Sequence, residues 1–174
     1  MDLYRAALIG CSRMGAFIDN EVGPERRPYS HAAGYEACAR TDLVACSDLR
    51  ADVMAQVGTR YGIPVEKQYT DYNELLDREK PDIVSVATQP EHRAEIVIAA
   101  AEAGARAIYA EKAFAASMED ADRMVAACKE YGVALNMGTN RRYYPGYDKM
   151  KEVIDSGCIG VLQSLIIHQT SALF

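Results

Sequence analysis

The segment Ala6-Ala7-Leu8-Ile9-Gly10-Cys11-Ser12-Arg13-Met14-Gly15 constrains this chain more than any other. A four-residue apolar run enters a turn framed by two glycines, and the pattern beyond it predicts a helix. In that arrangement the first glycine permits a tight turn, and free backbone N–H groups at the helix start point at a phosphate. Gly10 and Gly15 hold the outer positions, while Ser12 stands where a middle glycine lets a pyrophosphate approach the backbone. Taken alone, the motif is equally an ordinary strand-to-helix turn.

The second apolar run, Leu43-Val44-Ala45-Cys46-Ser47, ends at Asp48, where a ribose-binding acid belongs in a dinucleotide fold. A carboxylate there accepts from both adenosine ribose hydroxyls and repels a 2′-phosphate, which favours NAD over NADP. Arg50 keeps NADP open, because a guanidinium can pair with that phosphate. Asp48 lies farther from Gly15 than the usual ~20 residues, and the polar segment from Asp19 to Ser30 reads as the insertion responsible.

Apolar runs near 4–9, 43–47, 82–87, 106–110 and 133–138 alternate with helical segments, the rhythm of an α/β protein with a doubly wound parallel sheet. Helices are expected over Ala51 to Tyr61, Tyr72 to Glu79, Glu91 to Gly104 and Ser117 to Tyr131. In the last of these Ser117 is the N-cap and Asp120 its acidic partner. Lys67-Gln68-Tyr69 fits a short edge strand. Residues 1–139 form a dinucleotide-binding domain on this reading, and 140–174 begin a second, incomplete α/β domain. There a helix runs through Ile154, and Val161 to Ile167 reads as the first strand of another sheet. That strand's partners are absent, come from another chain, or are replaced by unusual packing.

Composition excludes several classes. With 49% apolar residues among 174 the chain builds a globular core, and its net charge of −6 opposes nonspecific attraction to nucleic acid or anionic membrane. Arg26-Arg27 and Arg141-Arg142 are only short pairs. No apolar stretch reaches the ~18 residues of a membrane span, and no secretion signal precedes the first strand. Five cysteines, odd in number and without a C-x-x-C pair, fit reduced thiols in a cytoplasm. Cys11 is a small residue filling the turn or a reactive thiol. No metal-binding spacing is present.

The stretches GCSRMG, VACSD, DIVSVATQPEHRAEIVIAAAEAG, AIYAEKA and NRRYYPGYDKMKEVIDSGCIG, in this order, resemble the amino-terminal half of the Gfo/Idh/MocA family of glucose-fructose oxidoreductases and inositol dehydrogenases. The resemblance implies a Rossmann domain binding NAD or NADP. A second α/β domain follows it in that family, supporting the substrate pocket and often oligomer contacts. It further implies hydride transfer between nicotinamide and a hydroxyl or carbonyl carbon of a sugar, inositol or related molecule. The partner is then a homo-oligomer copy or a complementary missing domain.

On that resemblance Glu111-Lys112-Ala113 corresponds to a Glu-Lys-Pro motif at the nicotinamide end, with Lys112 the catalytic candidate and Ala113 a departure from proline. Thr88-Gln89-Pro90 resembles a Thr-Pro-Asn segment lining the cofactor, with His92 nearby and Arg93 following it. Asn140, Arg142, Tyr143 and Pro145 match the entry into the second domain, as pocket or as hinge. His31 and His168 carry weaker claims. The family's aspartate and histidine from the second domain lie beyond residue 174. The chain therefore reads as a fragment of an oxidoreductase, with a redox-sensing module and a structural subunit as the alternatives.

Overall fold

The computed structural model describes residues 3–168, with the side chains of Asn140 and Arg141 left out of the description. By their contacts the residues fall into two units, Met1–Gly138 and Thr139–Phe174.

The first unit is a six-stranded sheet in the order β3-β2-β1-β4-β5-β6, and every neighbouring pair is parallel. Its strands are β1 (Tyr4–Ile9), β2 (Thr41–Ser47), β3 (Gln68–Tyr69), β4 (Ile83–Val86), β5 (Ala107–Ala110) and β6 (Ala134–Met137). Strands this apolar belong in a sheet covered on both faces. Alternation along β1 separates two cores, because successive side chains point to opposite sides. Ala7 and Ile9 join Val84, Val86 and Ile108 under α3 (Tyr72–Glu79), α4 (Pro90–Glu102) and α5 (Met118–Glu130). Leu8 and Cys11 join Cys46 under α1 (His31–Ala37) and α2 (Ala51–Tyr61).

The doubly wound sheet, the edge strand and the four expected helices are all present. Caps explain several boundaries. Ser117 Oγ accepts from the Asp120 N–H at 3.0 Å and donates to the Asp120 carboxylate at 2.9 Å, fixing the start of α5. Gly62 takes the left-handed conformation, φ +71°, that ends α2.

Two expectations are corrected. The helix expected to open at the glycine turn is a single wide turn, Arg13–Phe17, followed by a short 3-10 turn at Ile18–Asn20. The next α-helix begins only at His31, since Gly23, Pro24 and Pro28 lie in between and cannot sustain helical hydrogen bonding. The buried Asp19 carboxylate closes this excursion by accepting from the N–H groups of Tyr29 at 2.8 Å and Ser30 at 2.9 Å.

The second correction concerns the other unit. It contains a short 3-10 turn at Asn140–Tyr143 and α6 (Pro145–Asp155), but Val161 to Ile167 forms no strand. A strand needs a partner to satisfy its backbone, and among the described residues none is offered. Val161, Leu165, Ile166 and Ile167 are more than half exposed.

Candidate functional site

The carboxyl ends of the strands lie in a row. Gly10 N donates to Ser47 O, Ala87 N to Ile9 O, Glu111 N to Val86 O and Gly138 N to Ala110 O, all at 2.7–2.9 Å. β1 and β4 are neighbours from which the chain winds in opposite directions, and such a switch point opens a crevice at the strand ends.

Both glycines of the first turn are dictated by close packing. Gly10 has φ +93°, and a Cβ there would lie 2.7 Å from the Ala87 carbonyl carbon and 2.9 Å from the Thr88 nitrogen. A Cβ on Gly15 would collide with the Gly10 carbonyl oxygen. The turn therefore exposes bare backbone, as a pyrophosphate cradle requires. Ser12 is exposed, Met14 half-buried, and the exposed Arg13 makes a fork with Glu21 at 2.7–2.9 Å. Cys11 is fully buried, its thiol 3.5 Å from the Ser47 carbonyl oxygen. The neighbouring Cys46 thiol and burial push its pKa up, so Cys11 fills the turn and is not an activated nucleophile.

Asp48 meets this turn. One carboxylate oxygen accepts from the Cys11 N–H at 2.8 Å and the other from the Arg50 N–H at 2.9 Å. Each retains acceptor capacity. Arg50 itself is exposed at the start of α2.

At the ends of β4 and β5 the organising residue is Arg93. Its guanidinium is buried and donates to the carbonyls of Thr88, Glu111 and Ala113, at 2.6 Å for Glu111. Gln89 is exposed, Pro90 supplies the first residue of α4, and His92 is exposed on its first turn. The structure thus brings Gly10, Cys11 and Asp48 together, and through Arg93 it brings Thr88 to Glu111 and Ala113, the residues on either side of Lys112. His92, Gln89 and the Arg50 side chain do not join them. Arg93 was legible as a buried position, since it shares a helical face with Ile96, Val97 and Ala100.

Glu111 is buried and fully engaged. Its Oε1 lies 3.2 Å from His31 Nε2, and its Oε2 accepts from the Lys112 N–H at 3.1 Å. Burial alone would raise the carboxyl pKa. Hydrogen bonds from His31 and the Lys112 N–H, with the nearby charges, outweigh that and hold it below the usual carboxylate range. An ionised carboxylate only accepts, so His31 Nε2 donates. From sequence alone His31 carries only a weak claim. Its signal was Ser30, an N-cap whose Oγ accepts from the Ala33 N–H at 3.2 Å and starts an unrecognised helix at that histidine. The Lys112 side chain is exposed and makes no ion pair among the described residues.

The Asn140 side chain lies outside the described residues, and Arg142, in the second unit, is exposed. Among the described residues no three metal-ligating side chains converge, and no helix is long and apolar enough to cross a membrane. A cavity of about 420 Å³ between α5 and β6, lined by Phe114, Val125, Cys128, Leu135 and Met137, includes none of the expected site residues.

Comparison with known proteins agrees with this geometry. The chain is 31% identical over 156 residues to a myo-inositol 2-dehydrogenase of Thermotoga maritima, covering 90% of this chain and 42% of that protein. It is 34% identical over 158 residues to a D-apiose dehydrogenase of Paraburkholderia graminis, covering 90% of this chain and 38% of that one. The crystal structure of myo-inositol 2-dehydrogenase from Lactobacillus plantarum superposes with a TM-score of 0.76 at 27% identity, over 91% of this chain and 43% of the other. The chain therefore spans about two fifths of the length of the relatives it matches. Residues 4–139 match the family described as an oxidoreductase family with an NAD-binding Rossmann fold, and the chain belongs to that Gfo/Idh/MocA family.

Proposed function

We propose that this chain is the cofactor-binding half of an NAD-dependent oxidoreductase acting on a hydroxyl or carbonyl carbon of a sugar, inositol or related polyol. The observation that carries the reading is the convergence of a Cβ-free turn at Gly10 and Gly15 with the Asp48 carboxylate at the switch point between β1 and β4. Backbone from Gly10 through Gly15, including Cys11, Ser12, Arg13 and Met14, holds the pyrophosphate. Asp48 takes the ribose hydroxyls and disfavours a 2′-phosphate, with Arg50 at the rim. Thr88 lines the nicotinamide side together with Glu111 and Lys112, with Gln89 and Pro90 following it into α4.

When bound, NAD supplies the acceptor for the substrate's hydride. Lys112 then places a cation beside the reacting oxygen, where developing negative charge is stabilised. Glu111, ionised and held by His31, orients the Lys112 backbone. Five free thiols support a reducing cytoplasmic setting.

Calorimetric titration of the chain with NAD and with NADP tests this. Saturable binding with NAD preferred is the expected result. A folded chain that binds neither overturns it in favour of a structural module.

A further inference from the structure

We propose that His31 and Arg93 are positioning residues for Lys112, acting through Glu111 and through the backbone on either side of the lysine. The inference rests on the reading of Lys112 as a residue of the nicotinamide side.

Lys112 sits on a three-residue segment, each member of which is tied by its backbone to a buried charged side chain. Arg93 takes the carbonyls of Glu111 and Ala113, and the Glu111 carboxylate takes the Lys112 N–H. Arg93 is 1% exposed and Glu111 6%, so water does not compete for these bonds and each is costly to break. Ala113 has no ring to fix its own φ, which leaves the conformation beside Lys112 to these external bonds. Both oxygens of Glu111 are engaged. One faces Lys112 and the other faces His31.

His31 is itself aimed by its helix. It and Tyr35 are one turn apart on α1, and while His31 meets Glu111, the Tyr35 hydroxyl meets Ser85 Oγ on β4 at 2.7 Å. The His31 ring also packs against Tyr109 of β5, centroid to centroid 4.9 Å. The helix that follows the excursion after the glycine turn is thereby keyed to β4 and β5. Arg93 comes from α4 on the other face of the sheet, so Lys112 is held from both layers. Neither His31 nor Arg93 makes a hydrogen bond to the Lys112 side chain among the described residues; both act on where its backbone stands.

The test compares binding of NADH and of ADP-ribose, which lacks the nicotinamide, to the 174-residue chain. Lys112→Ala is the reference, and its expected signature is a roughly tenfold loss of NADH affinity with ADP-ribose affinity kept within about twofold. His31→Leu and Arg93→Lys are expected to give the same split. Combining either with Lys112→Ala is expected to add nothing, because all act through one group. His31→Gln, which keeps an N–H toward Glu111, is expected to restore NADH binding. Equal loss of both ligands in His31→Leu and Arg93→Lys, or effects that add to Lys112→Ala, overturn the proposal and make the two residues merely structural. So does a Lys112→Ala chain that loses nothing against NADH. A wild-type chain that binds neither ligand overturns the cofactor reading itself, a result separate from any variant.

Discussion

Asp48 at the end of β2 accepts a hydrogen bond from the backbone N–H of Cys11 just beyond β1, at 2.8 Å. The residue proposed to select the cofactor is thus bonded to the turn proposed to hold it. The two roles separate by substitution. Asp48→Asn keeps an acceptor for the Cys11 N–H but removes the charge and turns an amide NH2 toward the exposed Arg50 N–H, so NADP affinity is expected to rise about tenfold relative to NAD, at a smaller stability cost than Asp48→Ala. Asp48→Ala leaves the Cys11 N–H without its partner and is expected to weaken both cofactors and cost about 1–2 kcal/mol of stability. Titration calorimetry and thermal denaturation of the two variants read the difference.

Gly10→Ala places a methyl group against the Ala87 carbonyl at a backbone angle that L residues rarely adopt. The expected cost is about 2 kcal/mol, with loss of cofactor binding even where the variant remains folded. Urea denaturation beside a binding assay measures both. Gly34→Ala, at a helical position where an added Cβ meets nothing within 4 Å, is the control.

Asp19 links stability to pH. Burial would raise its pKa, but the Ser30 hydroxyl and the N–H groups of Tyr29 and Ser30 outweigh burial and hold it low. A carboxylate whose folded pKa lies below its unfolded value contributes stability above that unfolded value, ~3.9, and the contribution disappears as pH falls through the folded pKa. Asp19→Asn is therefore expected to cost about 2 kcal/mol at pH 7 and progressively less below pH ~4. Denaturation midpoints from pH 3 to pH 8 show whether the two curves converge in acid.

Thiol reactivity divides the cysteines by exposure. Cys38 and Cys158 are exposed, whereas Cys11, Cys46 and Cys128 are buried. Cys38 is further activated by the Arg40 N–H and the Thr41 hydroxyl, which lower its pKa. A chromogenic disulfide reagent is expected to titrate two thiols rapidly and the other three only on unfolding. A third rapid thiol, mapped to Cys11, would contradict its place as filler of the glycine turn.

Elements whose identity is written locally were legible. The buried strands, the Ser117 cap and the stretch from Ala51 to Tyr61 follow from period and capping, and they lie where expected. The place of Asp48 beside the glycine turn was legible because a strand end is a position that sequence order defines. The contacts of His31 and Arg93 were not legible because they are tertiary: Glu111 lies 80 residues from His31 and 18 from Arg93. Solitary polar residues in a helical stretch carry no periodic mark of what they face. The wide turn at Arg13–Phe17 was missed because a glycine motif announces a helix whether or not the prolines beyond let it continue. The expected strand at Val161 to Ile167 failed for the opposite reason, since apolar composition alone does not supply a neighbour to pair with.

The carboxylate of Asp19 brings the two ends of the Asn20 to Pro28 excursion side by side. Whatever lies between them is uncoupled from the helix that carries His31. Closing a loop costs free energy only as the logarithm of its length, so residues added or removed there change stability by fractions of a kcal/mol. Beyond Glu21, which pairs with Arg13 of the glycine turn, the chain thus has a place where length can change at little cost to the frame. It is also the place where a designer can insert a new recognition segment and still find Glu111 held as before.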